Sequence, residues 1–236
     1  MENITTKIKG PLLTDFKSLG EMANYAWGVV KLHCLAEFNK SWASIEGAAH
    51  RAVTEEEFFR NYMWCVYVSG FSAHAVSRNY DKLLAAHNLV DDQGKFVPSS
   101  QALFPDKEKV FLIWQNRAKF AAITETRRLV HQTTWPDFHH EYLWSKSPQA
   151  LQGLSFMGPA LSRHLARNLG NVQIVKPDVH LVRLANRYNV APQFAGIEEQ
   201  ASLLCEKAQK LVPEMAGWPL GKVDLALWYA SATLRS

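Results

Sequence analysis

The sequence is poor in the features that mark several large protein classes. Only three of its 236 residues are cysteine: Cys34, Cys65 and Cys205. They form no CxxC pair and no regular spacing, so neither a disulfide framework nor an iron–sulfur or zinc cluster is expected. Three reduced, mostly buried thiols in an intracellular protein are expected instead, cytoplasmic (nucleoid) if the source is bacterial. No apolar run approaches the roughly 20 residues needed to cross a bilayer, so no membrane partner is expected. The opening MENITTKIKG lacks the basic-then-apolar layout of a signal peptide. Period-two alternation is almost absent. Val172 to Val175 is the one strand candidate, and four residues are too few to build a sheet. There is no internal repeat and no low-complexity tract. The net charge is only +4, which permits nucleic acid as a partner without requiring it.

Helical period is what the sequence does contain. Phe16, Leu19, Ala23, Ala26 and Val30 recur at three- and four-residue steps and predict a long first helix. Thr54 and Glu57 form a capping-box pattern ahead of Phe58, Phe59, Tyr62, Met63 and Val66. Ser69-Gly70 breaks that helix, and Ser72 is placed to cap the next. Asn88 to Asp106 is the longest irregular stretch. Helical pattern resumes over Lys107 to Trp114, Arg117 to Val130, Ile197 to Leu211 and Val223 to Leu234, with a further start at Trp135-Pro136. The expected fold is all-α, with about ten helices and short connections.

The stretch from Gly153 to Tyr188 carries the chemistry. Leu154 to Gly158 must turn sharply between two helices, and Gly158 is expected to supply the freedom for it. Pro159 suits the first position of the following helix. Leu161, Leu165 and Leu169 line one face of that helix, Arg163 and Arg167 share another, and Gly170 stops it. Such a turn leaves backbone N–H donors at the positive end of a helix, where phosphate binds without regard to base identity. Then Pro177 ends an extended run and places Asp178 at the N-cap of Val179 to Tyr188. A fixed carboxylate there could stabilise a developing positive charge or activate water. An Asp behind a proline at a helix start is also a common plain cap, so both readings stand at this point.

The combination resembles the helix-hairpin-helix plus Gly/Pro-loop plus Asp motif of the endonuclease III-like DNA glycosylase superfamily. Members carry a hairpin written approximately Leu-Pro-Gly-Val-Gly and, about twenty residues later, a catalytic Asp in Asp-x-His-x-x-Arg-x-x-Asn-Arg. Here Asp178, His180, Arg183, Asn186 and Arg187 fit that pattern, 20 positions after Gly158. Asn116 to Lys119 and Val68 to Ser72 resemble two further family segments, so the similarity covers approximately Phe58 to Tyr188. It implies one glycosylase domain over 1–236, two-lobed and helical with a DNA-binding cleft between lobes. One lobe would span approximately 58–170 and contain the hairpin motif at 152–170. The other would join approximately 1–57 to 171–236.

The resemblance also implies roles. Asp178 would be the catalytic anion, acting on an oxocarbenium-like sugar or its attacking water. Gly158, Ala160, Arg163 and Lys176 would contact DNA phosphates. Phe71, with Ser72, stands where members insert a wedge into the duplex; a core position is the alternative for Phe71. Trp27, Trp64, His180 and Trp228 are base-pocket candidates, with core packing as the alternative for each tryptophan. Backbone carbonyls of Gln152, Leu154 and Met157 would hold a potassium or sodium ion. No other cofactor is implied. Arg117, Lys119, Arg127, Arg128 and Arg167 add charge that could track phosphates.

The sequence departs from the family at Ser155 and Phe156, which replace the hairpin's proline and first glycine. Ala160 stands where strand-nicking members carry a Schiff-base lysine, so the implied enzyme is monofunctional. Val66 stands where some adenine-excising relatives keep a second carboxylate. The expected activity is excision of a damaged or modified base from double-stranded DNA by a monomer, leaving an abasic site. Hypermodified bases of foreign DNA are one possible target. A non-catalytic helix-hairpin-helix DNA-binding protein is the competing reading.

Overall fold

Local start and stop signals set the helices. A computed structural model describes residues 8–101, 104–192 and 194–234. Among these the structure is helical, with no strand beyond a single antiparallel bridge between Val90 and Phe96. The segment Val172 to Val175 runs as a turn and loop: the Val172 carbonyl accepts the N–H of Gly221 at the start of a later helix, and the Ile174 N–H turns back to the Asn171 carbonyl. No helix among the described residues is long and apolar enough to cross a membrane.

The chain forms two compact units. Unit one comprises the chain up to Ala49 and from Gly170 onward. Its helices are α1 (Leu19–His33), α2 (Leu35–Ala49), α11 (Val179–Arg187), α12 (Ile197–Leu211) and α13 (Leu220–Thr233). Unit two, His50–Leu169, holds α3 (Glu55–Val68), α4 (Ala73–Ser77), α5 (Tyr80–Ala86), α6 (Lys107–Ile113), α7 (Arg117–Thr133), α8 (Trp135–Phe138), α9 (Pro148–Leu151) and α10 (Pro159–Asn168). A π-helical turn over His139–Leu143 continues α8.

In unit one, α13 is the central element. Val223, Leu225, Ala226, Leu227, Tyr229 and Ala230 are all buried on it, and α1, α2, α11 and α12 pack around it. The first helix begins at Leu19, later than the periodicity of Phe16 predicts, because Ser18 caps it through the N–H of Glu21. The sequence reading omits α2. Its apolar spacing is clear in Phe38, Trp42, Ile45 and Ala48, which are buried, but no capping residue precedes Leu35. The chain breaks at Cys34 only through a local φ of −148°.

In unit two, α3 buries a broad apolar face made of Phe58, Phe59, Tyr62, Met63, Cys65, Val66 and Tyr67. Each such large side chain contributes about 1.5–3 kcal/mol by leaving water. The Thr54–Glu57 capping box forms as the sequence predicts, with reciprocal side-chain bonds. Ser72 likewise caps α4 through the N–H of Ala75. Cys34, Cys65 and Cys205 are buried.

Candidate functional site

The hairpin of unit two is built from α9, the seven-residue connection 152–158 and α10. Ser147 caps α9 by accepting the N–H of Ala150. The turn is held from below by Tyr62, whose hydroxyl donates to the carbonyl of Ser155 at 2.6 Å and itself accepts from Thr126. The Ser155 hydroxyl donates to Glu125 at 2.7 Å. α3 and α7 thus fix the hairpin at Ser155, the position where the resemblance has proline.

The left-handed step of the turn is not where the sequence places it. Gly158 has φ −69° and ψ 175°, which any residue adopts, so its conformational freedom is unused. Phe156 takes φ +68° instead, at the position where the resemblance has glycine. A non-glycine residue there pays about 1–2 kcal/mol. Phe156 is also part-exposed, with 38 % of its surface open. A Cβ at Gly158 would meet nothing within 4 Å, as at most of the chain's glycines. Pro159 occupies the first turn of α10, and Gly158 offers no side chain to cap the N–H groups of Ala160 and Leu161. The hairpin therefore presents uncapped backbone donors at an open surface.

The carbonyls named for a monovalent cation fare unequally. Gln152 is exposed, whereas Leu154 and Met157 are buried, and the Leu154 carbonyl closes a turn with the N–H of Met157 at 3.2 Å. That engagement uses one lone pair of a proposed ligand. Among the described residues, no group of three or more His, Cys, Asp or Glu could hold a metal ion.

Asp178 lies in unit one at the N-cap of α11, as its position behind Pro177 predicts. Its Oδ1 accepts from the N–H groups of His180 and Leu181, both at 2.9 Å. Oδ2 is the oxygen not tied to the helix. The carboxylate is half-buried and Val179 beside it is exposed. The preceding loop is anchored: the N–H of Asp178 donates to the carbonyl of Lys176, and the N–H of Lys176 donates to Oδ2 of Asp224, each at 2.8 Å. Asp224 is a fully buried residue of α13, and sequence reading gave no sign of it because a single Asp in an apolar helix carries no motif.

The remaining candidates divide. Phe71 is 48 % exposed, just past Gly70, which has φ +74°. Its ring meets the edge of Trp114 at 4.9 Å and lies 4.5 Å from the Lys119 Nζ. Ser72 is exposed, and Arg163, Lys176 and His180 are half-buried. Trp27 is a core residue, packed against Phe38 of α2 and Trp218 ahead of α13. Trp64 and Trp228 are half-buried, edge-on to Tyr80 and Tyr229 respectively.

Three of the cations proposed to track phosphate are interior. Lys119 is 3 % exposed and donates to the carbonyls of Tyr67 and Ser69 at 2.8 and 2.6 Å. Burial pushes its ammonium down to about 8. Arg127 donates to the carbonyl of His87 at 2.6 Å, and burial pushes it down to about 10. Arg167 is also buried. Arg117, Arg128 and Arg183 are exposed. Comparison of the chain with protein-family models, with curated proteins and with solved structures finds no match.

Proposed function

We propose that this chain is a monofunctional DNA N-glycosylase. The observation that carries the reading is Asp178. It is a half-buried carboxylate with one oxygen locked onto the start of α11 and the other not tied to that helix. It stands in the Asp-x-His-x-x-Arg-x-x-Asn-Arg pattern 20 positions after Gly158. In this reading the uncapped donors at Ala160 and Leu161 grip a phosphate, with Arg163 adding charge from the same helix, and Lys176 of unit one makes a phosphate contact of its own. Phe71, an exposed ring held by Lys119 and Trp114, fills the gap left by the extruded nucleotide.

The chemistry is a heterolysis. The bond between the sugar C1′ and the base nitrogen breaks, and the base departs with the electron pair. Oδ2 of Asp178 offsets the positive charge that develops on the sugar. Water then adds to C1′ and gives up a proton, to Asp178 or to the departing base, which leaves an abasic deoxyribose. Ala160 offers no amine for a Schiff base, so the strand stays intact until alkali cleaves it.

The same cap geometry favours a second reading, because two N–H bonds explain an Asp at this place without chemistry. In that case the protein binds DNA through the hairpin and does nothing to it. Asp178→Asn separates the two. The amide keeps an oxygen for the His180 and Leu181 donors but loses the charge. Excision from a panel of modified-base duplexes, read as alkali-induced breaks, is expected to fall by at least about 100-fold. Duplex affinity should stay within a few-fold. Equal excision by both proteins would remove Asp178 from the mechanism. Absence of breaks with the parent on every duplex would favour the binding module. Borohydride is expected to trap no covalent adduct.

A further inference from the structure

We propose that Asp224 is a positioning residue for Asp178, an inference that rests on the glycosylase reading above. Two independent contacts tie the start of α13 to the loop that delivers Asp178. At the first turn, the N–H of Gly221 donates to the carbonyl of Val172 at 3.0 Å. There is no room for a side chain at that point, since a Cβ on Gly221 would lie 2.7 Å from the Val172 oxygen and 3.0 Å from that of Ile174. One turn further along, Oδ2 of Asp224 accepts the N–H of Lys176 at 2.8 Å. The carbonyl of the same Lys176 accepts the N–H of Asp178, also at 2.8 Å. Asp178 in turn binds the first N–H groups of α11.

The links form a chain from the interior of α13 to the reacting carboxylate. Asp224 fixes one side of the Lys176 residue, Asp178 takes the other, and Pro177 stiffens the step between them. The choice of residue is informative. Asp224 has 0 % exposure, and taking a carboxylate out of water is costly unless strong bonds offset it. A hydrogen bond accepted from the backbone N–H of Lys176 offsets part of that cost. A side chain of this kind suits a loop that must not drift. Displacement of a catalytic group by about 1 Å can lower a rate by about 100-fold, so holding Lys176 sets the rate without Asp224 touching DNA.

The test compares Asp224→Asn, Asp224→Ala and Gly221→Ala in the full chain. Asparagine keeps an oxygen for Lys176 and alanine does not. Gly221→Ala leaves Asp224 intact but drives a methyl group into the Val172 carbonyl. Two readouts are taken: hydrogen exchange of the Lys176 amide, and single-turnover excision with duplex affinity measured alongside. Asp224→Ala is expected to speed exchange at Lys176 at least about tenfold and to slow excision by about 10–100-fold. Duplex affinity should hold within about twofold, and Asp224→Asn should restore both readouts to within about threefold of the parent. Should Asp224→Ala fail to fold, Asp224→Ser, whose shorter side chain cannot reach Lys176, is read in its place with the same expected losses, and Gly221→Ala, which shifts the same loop at Val172, is expected to slow excision with Asp224 in place. Unchanged Lys176 exchange in Asp224→Ala would overturn the proposal. So would an asparagine variant that keeps the protection but is as slow as alanine, because Asp224 would then act by a route other than holding Lys176. If the parent excises no base at all, the glycosylase reading falls, while the exchange measurement still decides whether Asp224 holds the loop.

Discussion

Lys119 shows how far a residue's identity can mislead about its task. Its place among Arg117, Arg127 and Arg128 reads as part of a phosphate-facing run. In the fold its ammonium closes the end of α3 through the carbonyls of Tyr67 and Ser69 and lies over Phe71. Lys119→Met keeps the stem and removes the donors, leaving two carbonyls without their partner. We expect a loss of about 1–3 kcal/mol in urea unfolding. The pH dependence has a definite sign. The folded state binds this proton more weakly than the unfolded chain, with its pKa lowered by burial from the ordinary lysine range to about 8. The unfolded chain therefore holds more protons between about pH 8 and 10.5, and Lys119 contributes increasing stability as the pH rises through that window. Unfolding at pH 7 and at pH 9.5 should show this gain in the parent and not in Lys119→Met. An equal pH response in the two proteins would mean that Lys119 is solvated.

At the level of elements, the signals that the sequence states outright are realised. Thr54 with Glu57 starts α3, Ser72 starts α4, and α12 runs from Ile197 to Leu211 as its periodicity predicts. Pro177 places Asp178 at a cap for the same reason, since proline restricts the chain whatever surrounds it. What was not legible depends on distant support. Phe156 can hold φ +68° because Tyr62 and Thr126 pin the neighbouring Ser155, and neither Tyr62 nor Thr126 is near it in sequence. The start of α2 is not legible in the sequence because no capping residue precedes Leu35. Two glycines make the contrast testable. Gly170 has φ +102°, and a Cβ there would lie 2.5 Å from the backbone of Ala48 and Ala49. Gly170→Ala should therefore destabilise the chain by more than about 3 kcal/mol through strain and overpacking. Gly158→Ala meets no atom within 4 Å at an ordinary φ. Thermal unfolding should barely shift, by less than about 0.5 kcal/mol. If the hairpin grips a phosphate, that same methyl group should weaken duplex binding, and an unaltered affinity would take the contact away from Gly158.

Across the whole molecule, the formal charge of +4 counts cations that never meet solvent. Lys119, Arg127 and Arg167 are spent on the interior, so proximity in sequence did not translate into a shared face. Burial is decided by packing, and sequence spacing alone could not sort structural cations from phosphate contacts. Two arginines that look alike on paper should therefore behave in opposite ways. Arg163 is half-buried on the second turn of α10, beyond the uncapped hairpin donors. Arg163→Ala should leave unfolding nearly unchanged. It should weaken duplex binding and reduce the slope of log affinity against log salt by about one, the signature of a single phosphate contact. Arg127→Ala removes the donor to the His87 carbonyl from inside unit two and leaves that carbonyl buried without it. Its effect should be a loss of about 1–3 kcal/mol in stability with the salt slope unchanged for whatever protein remains folded. Titrations of duplex binding at several salt concentrations, beside unfolding curves for both variants, measure each quantity separately. If Arg163→Ala left the slope where it was, the phosphate-gripping role of the hairpin would lose its charged partner, and the affinity would have to come from backbone donors and the other exposed arginines alone.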